Sequence, residues 1–530
     1  MVFLRRPASF SRYYATLSKS RKTSHVKRGV CLFSVLGGSA YCLNTKTIHA
    51  DNDSNDTALR HTPLSTLLRS YVVYSLCSLP IIVNNSPAVI SAVTAVPGLK
   101  QIAEVVIRYT FFAQFVGGDT AEDTLPILAK LRHNNIGALL AYSVEVDEDE
   151  ADKDKSKIAS PNQVYKSNIE ETINSIDVAA DFEEQYRSKF SGKTWVAVKL
   201  TALLPRADSL IKLSDHLIRT RPSSKSSQLL PGIPNTSDLQ SLIEGRGPAD
   251  LTQDDIKDLK ELYISLTRIV ERAYQRNVKI IIDAEYTWYQ PAIDAFTFSL
   301  MRRYNNRIPD STPNSYLPLV YGTYQAYLKR TPQFLAQSLK DARDNGYALG
   351  VKLVRGAYHH FELTAAPSPD VCPVWSTKPE TDNCFDSCAD VLISTLKDGQ
   401  LKKVNLGILF GTHNTASCDK ILGKLVKNGL AAYVEGKFML KDRVAEHCAI
   451  AQLYGMSDSL TDSLVEKVHS STPFIIKYIP YGPLLAVMPY LGRRAIENSS
   501  ILSGDGGAIA ERQRVGKELR RRLFGGLTIF

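Results

Sequence analysis

The sequence KIIIDAE, residues 279–285, joins a short apolar run to two acidic residues. Short runs of this kind, rich in β-branched residues, are typical of strands that are buried on both faces of a sheet. Because a helix-like stretch follows, the segment indicates one β/α unit of a parallel sheet. Asp283 and Glu285 then stand at the carboxyl end of the strand, where the loop begins.

The same pattern recurs through most of the chain. Apolar runs, each followed by a helix-like stretch, occur at eight places: 138–145, 195–203, 279–285, 317–325, 348–358, 406–414, 448–456 and 474–482. Eight such units in series indicate a (β/α)8 barrel of the TIM type, and a doubly wound open sheet is the alternative.

Nearly every run ends in polar residues, and this favours the barrel. They are Glu145, Lys199, Asp283 with Glu285, Gln325, Lys352 with Arg355, His413, and Tyr478. In a barrel the carboxyl ends of all strands form one ring, which is where catalytic residues lie. An open sheet would concentrate them at a single switch point.

The net charge of +10 lies almost wholly in the first 50 residues. Nine of the 64 Lys and Arg residues are there, without any Asp or Glu, so the remaining 55 almost balance the 54 acidic residues. A basic groove for nucleic acid is therefore not implied, and we expect no nucleic-acid partner. An Arg- and Ser-rich segment without acids is typical of a mitochondrial transit peptide, with a disordered basic arm as the alternative.

The composition, 44% hydrophobic and 22% charged, is that of a globular protein and excludes a wholly disordered or polytopic membrane chain. Residues 70–99 carry no charge and are long enough to span a bilayer, but three prolines divide them, which favours short packed helices. Four regions follow: a transit peptide or basic leader at 1–50, an N-terminal helical region at 51–137 that packs on the barrel or touches a membrane, the barrel at 138–510, and a basic C-terminal tail at 511–530. Loops are inserted at 147–155, 223–237 and 366–383.

Common metal and nucleotide motifs are missing. The eight Cys residues include Cys384 and Cys388 with Cys372 upstream, but no paired CxxC spacing, so we expect free thiols and no metal site. The sequence GDGGA at Gly504–Ala508 lacks the third glycine of a dinucleotide fingerprint and follows no apolar strand. There is no P-loop either, which disfavours the usual NAD(P) and ATP enzymes.

Three cations are predicted at the mouth of the barrel. Arg493 and Arg494 follow the eighth run on a helix, and Lys199 ends the second run. Arginine forks bind carboxylates in a bidentate manner, so Asp283 and a substrate carboxylate are the expected anions. Glu497 shares the helix face of the arginines, and a surface ion pair is the alternative interpretation of this motif. His413, within GTHN at Gly411–Asn414, is expected in a hydrogen-bonding cluster for a polar ligand.

Seven motifs occur in an order that is specific to one family. They are KLTALLP (199–205), IIIDAE (280–285), YQAYLKR (324–330), VKLVRGAY (351–358), GTHN (411–414), QLYGM (452–456) and YIPYGPL through RRAIEN (478–498). Together they resemble the motif set of the proline dehydrogenase (proline oxidase) family, and with the leader and insertions most resemble its fungal mitochondrial form. The resemblance covers about Phe111 to Asn498.

The resemblance implies a distorted (β/α)8 barrel, with an N-terminal helical extension and inserted loops, that binds FAD non-covalently. It implies oxidation of L-proline to Δ1-pyrroline-5-carboxylate, with electrons passed to a membrane quinone at the matrix side of the inner mitochondrial membrane. The product would go to a separate pyrroline-5-carboxylate dehydrogenase, because no nucleotide fingerprint for that second step is present in this sequence.

The resemblance also assigns residues. Lys199, Arg493 and Arg494 match the holders of the proline carboxylate, Asp283 matches the acid that supports the arginines, and Glu497 matches a gating partner. The walls around the proline ring match Leu353, Tyr358, Leu453 and Tyr478. The FAD contacts match Gln325, Lys352, Val354, Arg355, Gly356, Ala357, His359, Thr412, His413, Asn414 and Gln452.

Three of these positions depart from the bacterial pattern: Lys352 replaces Arg, Arg355 replaces Lys, and His359 replaces Trp. Two other interpretations remain open. One is a different (β/α)8 enzyme, binding phosphate, that uses Lys199 to form a Schiff base, and the other is a non-enzymatic scaffold at the inner membrane.

Overall fold

The computed structural model describes most of the chain. The described residues are 57–60, 62–79, 99–143, 161–186, 193–221, 230–306, 317–366, 368, 371–402, 405–500 and 507–524. The predicted leader at 1–50, Glu145 and the charged insertion at 147–155 lie outside them.

A closed barrel of eight parallel strands forms the centre of the described chain. The strands in chain order are β1 (Ile136–Tyr142), β2 (Thr194–Val198), β3 (Ile280–Ile282), β4 (Val320–Gln325), β5 (Leu349–Val354), β6 (Leu406–Gly411), β7 (Ala431–Val434), β8 (Lys437–Leu440), β9 (Cys448–Leu453), β10 (Val468–His469) and β11 (Ile475–Tyr481). The barrel runs β1–β2–β3–β4–β5–β6–β9–β11 and closes where β11 pairs with β1. Each barrel strand overlaps one of the eight predicted runs, so the predicted (β/α)8 fold is confirmed.

The helices cover the outside of the barrel. The α-helices are α1 (Thr57–Arg60), α2 (Leu64–Cys77), α3 (Leu99–Ile107), α4 (Ala113–Phe115), α5 (Leu125–His133), α6 (Pro161–Gln185), α7 (Asp208–Thr220), α8 (Gln240–Ile243), α9 (Gln253–Arg276), α10 (Gln290–Tyr304), α11 (Thr331–Asn345), α12 (His359–Ala365), α13 (Lys378–Lys402), α14 (Thr415–Lys427), α15 (Asp442–His447), α16 (Asp458–Lys467), α17 (Met488–Ser500) and α18 (Ala508–Phe524). Short 3₁₀ turns occupy Glu122–Thr124, Leu200–Leu203 and Thr236–Asp238, and a π-helical turn occupies Arg108–Phe112.

Side-chain alternation along the strands divides the core into two layers. Trp195, Ile281 and Tyr321 belong to a cluster inside the barrel, where the Trp195 and Tyr321 rings lie 5.4 Å apart. Residues of opposite parity, such as Val196 and Ile280, join the larger core between the strands and the helices. The barrel is therefore filled with side chains, and polar groups at the strand ends lie above this filling.

A second, three-stranded sheet in the order β10–β8–β7 was not predicted. The hairpin of β7 and β8 turns at Glu435 and Gly436, both of which have positive φ. Tyr433 and Val434 on β7 are more than half exposed, so the strand lacks the apolar run by which buried strands are recognised in a sequence.

The basic segment at the C-terminus is not simply a tail, because α18 extends to Phe524 and packs on α2. Leu67 of α2 lies in a cluster with Val515 and Leu519. The Arg522 side chain donates to the carbonyl groups of Leu59, Arg60 and Thr62 at the start of the N-terminal region. The two ends of the described chain thus form one layer beside the barrel. In the part of the chain that the structure describes, every helix is too short or too polar to cross a membrane.

Candidate active site

A buried polar cluster joins β3, β5 and β11. Asp283 directly follows β3, and its Oδ1 accepts from Lys352 Nζ at 2.5 Å. Its Oδ2 accepts from the Tyr478 hydroxyl at 3.1 Å. Lys352 Nζ also lies 5.0 Å from the centre of the Tyr478 ring. All three residues were expected at strand ends from the sequence. In the structure Lys352 lies within β5 and Tyr478 within β11, and both side chains contact Asp283.

The cluster fixes the state of Tyr478. Burial, together with the nearby charge of Asp283, raises the pKa of the Tyr478 phenol well above its ordinary value of 10.0. The phenol therefore stays protonated and serves as a hydrogen-bond donor to Asp283.

The two arginines lie on α17, which follows β11. Arg494 is buried and donates to Glu497 Oε1 at 2.6 Å. The guanidinium of Arg493 lies 5.9 Å from the centre of the Tyr358 ring, and that of Arg494 lies 4.8 Å from the centre of the Tyr490 ring. Asp283 was expected to support this pair. In the structure its described contacts are Lys352 and Tyr478, and the carboxylate of Glu497 contacts Arg494.

Tyr490 is a site residue that the sequence analysis missed. Burial raises the pKa of its phenol to about 12, and the charges of Arg494, Glu497, Arg493 and Lys199 all act on it. All three predicted cations therefore act electrostatically on the Tyr490 phenol, and Arg494 lies against its ring. The signal was present in the sequence, because Tyr490 precedes Arg494 by four residues and so shares its helix face.

The turn that follows Lys199 is fixed by hydrogen bonds to Glu285. It precedes the 3₁₀ turn Leu200–Leu203, and the backbone N–H and hydroxyl of Thr201 donate to Glu285 at 3.2 and 2.5 Å. Glu285 is buried, and its carbonyl accepts from Gln325 Nε2 at 2.9 Å. This chain of bonds links the loop after β2 to the ends of β3 and β4.

The four predicted walls do not all reach the same place. The Tyr358 ring lies 4.2 Å from the ring of Tyr286 and faces Arg493. Leu453, at the end of β9, joins the apolar cluster that contains Tyr490. Leu353, however, is fully buried in the core between strands and helices, together with Leu349 and Val351 on alternate positions of β5. The two-residue period that turns Lys352 inward turns Leu353 outward, so it forms no wall of the site.

A second polar group lies beside the ends of β5 and β6. Arg355 donates to Asp382 at 2.6 Å, to the Thr412 hydroxyl at 2.7 Å and to the Ser417 hydroxyl at 2.9 Å. The Asn414 side chain accepts from the Ser417 backbone N–H at 2.9 Å, which caps α14. The GTHN motif is thus built into a helix start, whose unpaired N–H groups favour anionic ligands.

His413 of that motif is half-buried and neutral. Burial and the nearby cations Lys477, Arg494 and Arg355 lower its pKa to about 3. Its Nε2 accepts from the Leu453 backbone N–H at 3.1 Å. The ring proton must then be on Nδ1, which is buried and has no partner among the described residues. His413 therefore presents an unused donor.

Two glutamines complete a donor and acceptor set. Gln452 accepts from the Thr461 hydroxyl at its Oε1, and its buried Nε2 is left without a partner in the described part of the chain. Gln325 donates through Nε2, and its buried Oε1 also has no hydrogen-bond partner among the described residues. Buried polar atoms are seldom left unpaired, so these side chains are suited to pair with a polar ligand.

The stretch Val354–His359 forms the loop that leads from β5 into α12. Gly356 has φ +122°, and a Cβ there would lie 2.6 Å from the Tyr327 ring, so only glycine fits. His359 Nε2 lies 2.7 Å from the Trp375 carbonyl. Within this stretch Ala357 is exposed and Val354 is half-buried.

The six cysteines within the described ranges, which include Cys372, Cys384 and Cys388, are buried and form no disulfide with one another, while Cys31 and Cys42 lie outside those ranges. Within the described ranges, no group of three His, Cys, Asp or Glu side chains is arranged to hold a metal ion.

Comparison with known proteins gives the family. A sequence model described as "Proline dehydrogenase" matches residues 125–504. Chain-wide relatives include "Proline dehydrogenase 2, mitochondrial" of Arabidopsis thaliana, 30% identical over 89% of this chain and 91% of that protein. Another is "Probable proline dehydrogenase, mitochondrial" of the fission yeast Schizosaccharomyces pombe, 27% identical over 92% of this chain and 97% of that protein. This barrel oxidoreductase belongs to the proline dehydrogenase family, whose members oxidise proline in its catabolism.

A solved structure supports the fold. Proline utilization A from Bdellovibrio bacteriovorus matches with a TM-score of 0.54 and 18% identity, over 82% of this chain. The match spans only 37% of that longer protein, and at this identity it bears on the fold alone.

Proposed function

We propose that the chain catalyses the FAD-dependent oxidation of L-proline to Δ1-pyrroline-5-carboxylate and passes the electrons to a membrane quinone. The observation that carries the proposal is the placement of Arg493 and Arg494 against the rings of Tyr358 and Tyr490, with the charge of Lys199 also acting on Tyr490. A set of buried donors and acceptors without partners in the described part of the chain accompanies these cations. The first group suits an amino acid carboxylate, and the second suits the polar edge of a flavin.

The cation group would fix the substrate. A proline carboxylate held by the two guanidinium groups and Lys199 loses its rotational freedom, which orients the ring against the aromatic side chains. Tyr358 and Tyr478 then exclude water from the ring. Glu497, paired with Arg494, would have to share that arginine with the incoming carboxylate, in keeping with a gating role.

The unused polar atoms fit a flavin. The pyrimidine edge of an isoalloxazine offers carbonyl acceptors and an N–H donor, and the site offers donors at His413 Nδ1 and Gln452 Nε2 and an acceptor at Gln325 Oε1. Bound FAD would accept a hydride from the substrate carbon. Lys352, Arg355, Thr412, Asn414 and the backbone of Val354–His359 would hold the remainder of the cofactor.

The substrate amine must be neutral to release a hydride. Asp283 is the nearest carboxylate to Tyr478, but both of its oxygens already accept hydrogen bonds. We therefore assign the deprotonation of the amine to solvent or to binding itself, and we assign to Asp283 the positioning of Lys352 and Tyr478.

The experiment is an absorbance titration of the purified chain. Oxidised flavin bands should be present and should bleach on addition of L-proline, and o-aminobenzaldehyde should trap the product imine. A colourless protein that binds a phosphate substrate through Lys199 would favour the Schiff-base enzyme. A colourless protein that leaves proline and a redox dye unchanged would favour the scaffold.

We also propose a location at the matrix side of the inner mitochondrial membrane, bound peripherally. The basic leader and the word "mitochondrial" in the names of the relatives support it. The product would then pass to a separate pyrroline-5-carboxylate dehydrogenase.

A further inference from the structure

A cleft of about 390 Å³ opens between the N-terminal helices and the barrel. Its walls combine aromatic and aliphatic side chains with two arginines, and they include Arg69, Arg108, Tyr109, Phe112, Ile127 and Tyr454. The volume lies within the range of small-molecule sites, which are mostly apolar with a few polar groups that set orientation.

The cleft lies next to the site described above. Tyr454 in its wall follows Leu453, whose backbone N–H donates to His413 at 3.1 Å. The Tyr454 N–H donates to the Tyr478 carbonyl at 2.9 Å. A group in the cleft is thus separated from the active-site side chains by little more than one strand end.

The polar groups of the cleft suit a neutral acceptor better than an anion. Arg108 is paired with Asp119 through two hydrogen bonds of 2.6 and 3.1 Å, so its charge is largely balanced. Arg69 has a buried Nε without a partner in the described structure, and its charge opposes the burial-driven rise in the pKa of Tyr454. The Arg69 side chain lines the cleft beside aromatic rings, and a guanidinium there can donate to a carbonyl oxygen, whereas a phosphate would favour more unbalanced positive charge.

An apolar stripe leads out of the cleft along α3. Ile102, Val105, Val106 and Tyr109 follow the spacing of one helix face and are 62%, 54%, 54% and 72% exposed. Tyr109 both ends this stripe and lines the cleft. Large exposed apolar side chains that continue a ligand cleft are suited to an apolar extension of the ligand or to a lipid surface.

We propose that this cleft receives the head group of an isoprenoid quinone, with its tail along the stripe on α3. The inference rests on the proposed function and supplies the place where its acceptor binds. In the complete reaction proline loses a hydride and a proton, and the quinone gains the same two electrons and two protons and leaves as the hydroquinone. FAD, held as proposed above, would supply the redox chemistry that links the two half-reactions and would cancel from the overall balance.

Ala113 in the cleft wall allows the space to be filled. Ala113→Trp in the full chain should lower kcat/KM for decylubiquinone by about tenfold or more, while proline-dependent reduction of a soluble dye stays within about twofold. Ala432→Trp, at an exposed position on β7, is the matched control and should change neither rate. Arg69→Gln should lower the quinone kcat/KM by about threefold or more and leave the dye rate unchanged.

A photoreactive azidoquinone supplies a readout that does not depend on turnover. It should label the segment 99–118 of the unmodified chain, and decylubiquinone should prevent the labelling. If both variants keep their quinone kcat/KM, or if the label maps elsewhere, the assignment is wrong. Protection by vesicles of anionic phospholipid but not by decylubiquinone would reassign the cleft to a lipid head group.

A failure of the quinone assignment can be told apart from a failure of the proposed proline oxidation. If Ala113→Trp also loses dye reduction, the variant has disturbed the fold, and Arg69→Gln with the label map decides. If the unmodified chain reduces neither acceptor with proline, the proposed oxidation is wrong, and the label map alone decides whether the cleft binds a quinone.

Discussion

At the scale of single residues, Arg494 is the most constrained cation of the site, because it is buried between Glu497 and the Tyr490 ring. Arg494→Ala removes a charge-assisted fork of about 1.5–3 kcal/mol, which corresponds to about a ten- to hundredfold lower kcat/KM for proline. Arg494→Lys should restore only part of it, since an ammonium cannot form the fork. Arg268→Ala, an exposed pair with Glu170 on the outer surface, is the control. An unchanged KM for proline in Arg494→Ala would remove the residue from the clamp.

Substitution of Tyr478 tests whether this side chain sets the preference for L-proline. Its ring is expected to exclude a 4-hydroxyl group, because a close-packed apolar wall leaves that hydroxyl neither space nor a partner, at a cost of about 1–3 kcal/mol. Tyr478→Ser should lose efficiency with L-proline and gain in relative efficiency with trans-4-hydroxyproline. Tyr478→Phe keeps the bulk and loses the bond to Asp283, so it should retain the preference for proline. A ratio of the two kcat/KM values that stays constant in Tyr478→Ser would place this ring away from the substrate.

Glu362 gives a pH dependence of stability. Burial raises its pKa from 4.5 to about 7, although Thr287 donates to both of its oxygens at 2.8 and 2.5 Å. At a pH between 4.5 and 7, Glu362 keeps its proton in the folded chain and releases it in the unfolded chain. The stability that the protonated Glu362 contributes to the fold is therefore fully present below about pH 4.5 and is lost as the pH rises through about 7.

Glu362→Gln should abolish that part of the pH dependence, because an amide does not titrate. As the pH is raised from 5 to 8, the unfolding free energy of the variant should rise by about 1–3 kcal/mol relative to that of the unmodified chain. Urea denaturation of both proteins at each pH measures this difference. Parallel pH profiles for the two proteins would contradict the assignment.

At the scale of elements, Gly455 is where the N-terminal helices dock on the barrel. It has φ +72°, and a Cβ would lie 1.9 Å from the Gln114 carbonyl oxygen. Its own carbonyl accepts from the Tyr74 hydroxyl at 2.9 Å and from Gln114 Nε2 at 3.2 Å. Gly455→Ala should therefore destabilise the chain by about 2–4 kcal/mol, more than the strain of positive φ alone.

Gly429→Ala separates the two causes. Gly429 has φ +70°, but a Cβ there has open space around it, so only the conformational strain of about 1 kcal/mol is expected. Thermal unfolding of both variants measures the difference. Equal losses would show that the contact with Gln114 contributes nothing.

The barrel strands and the β7–β8 hairpin differ in how well the sequence predicts them. The barrel strands were predictable, because strands buried on both faces read as continuous apolar runs, and Lys199 and Asp283 directly follow two of them. The β7–β8 hairpin is half exposed and has no such run. Leu353 was misplaced because a family motif fixes the position of a residue in the chain, whereas the pleat decides which face it occupies. The contact of Asp283 with Tyr478 joins residues 195 positions apart, a pairing that depends on closure of the barrel.

At the scale of the whole molecule, the ends of the described chain pack together, while the charged leader precedes them in sequence. Leu67 and Leu519 meet in one cluster, and Arg522 binds the carbonyl groups around Arg60, so α2 and α18 stabilise each other. The apolar spacing of Ala508, Val515 and Leu519 could have predicted this helix face from the sequence. A truncation that enters α2 should therefore loosen α18 as well.

Deletion of residues 1–50 ends before this layer and should separate targeting from catalysis. These residues hold nine of the basic side chains and no acidic ones, and they precede every element that contributes to the site. We expect the truncated chain to lose import into isolated mitochondria, while proline still bleaches its flavin at the rate of the full chain. A scrambled leader of the same composition is the control for charge alone, and its import would show that composition suffices. If the truncated chain is purified without flavin, the leader takes part in the fold, and the boundary predicted at residue 50 is wrong.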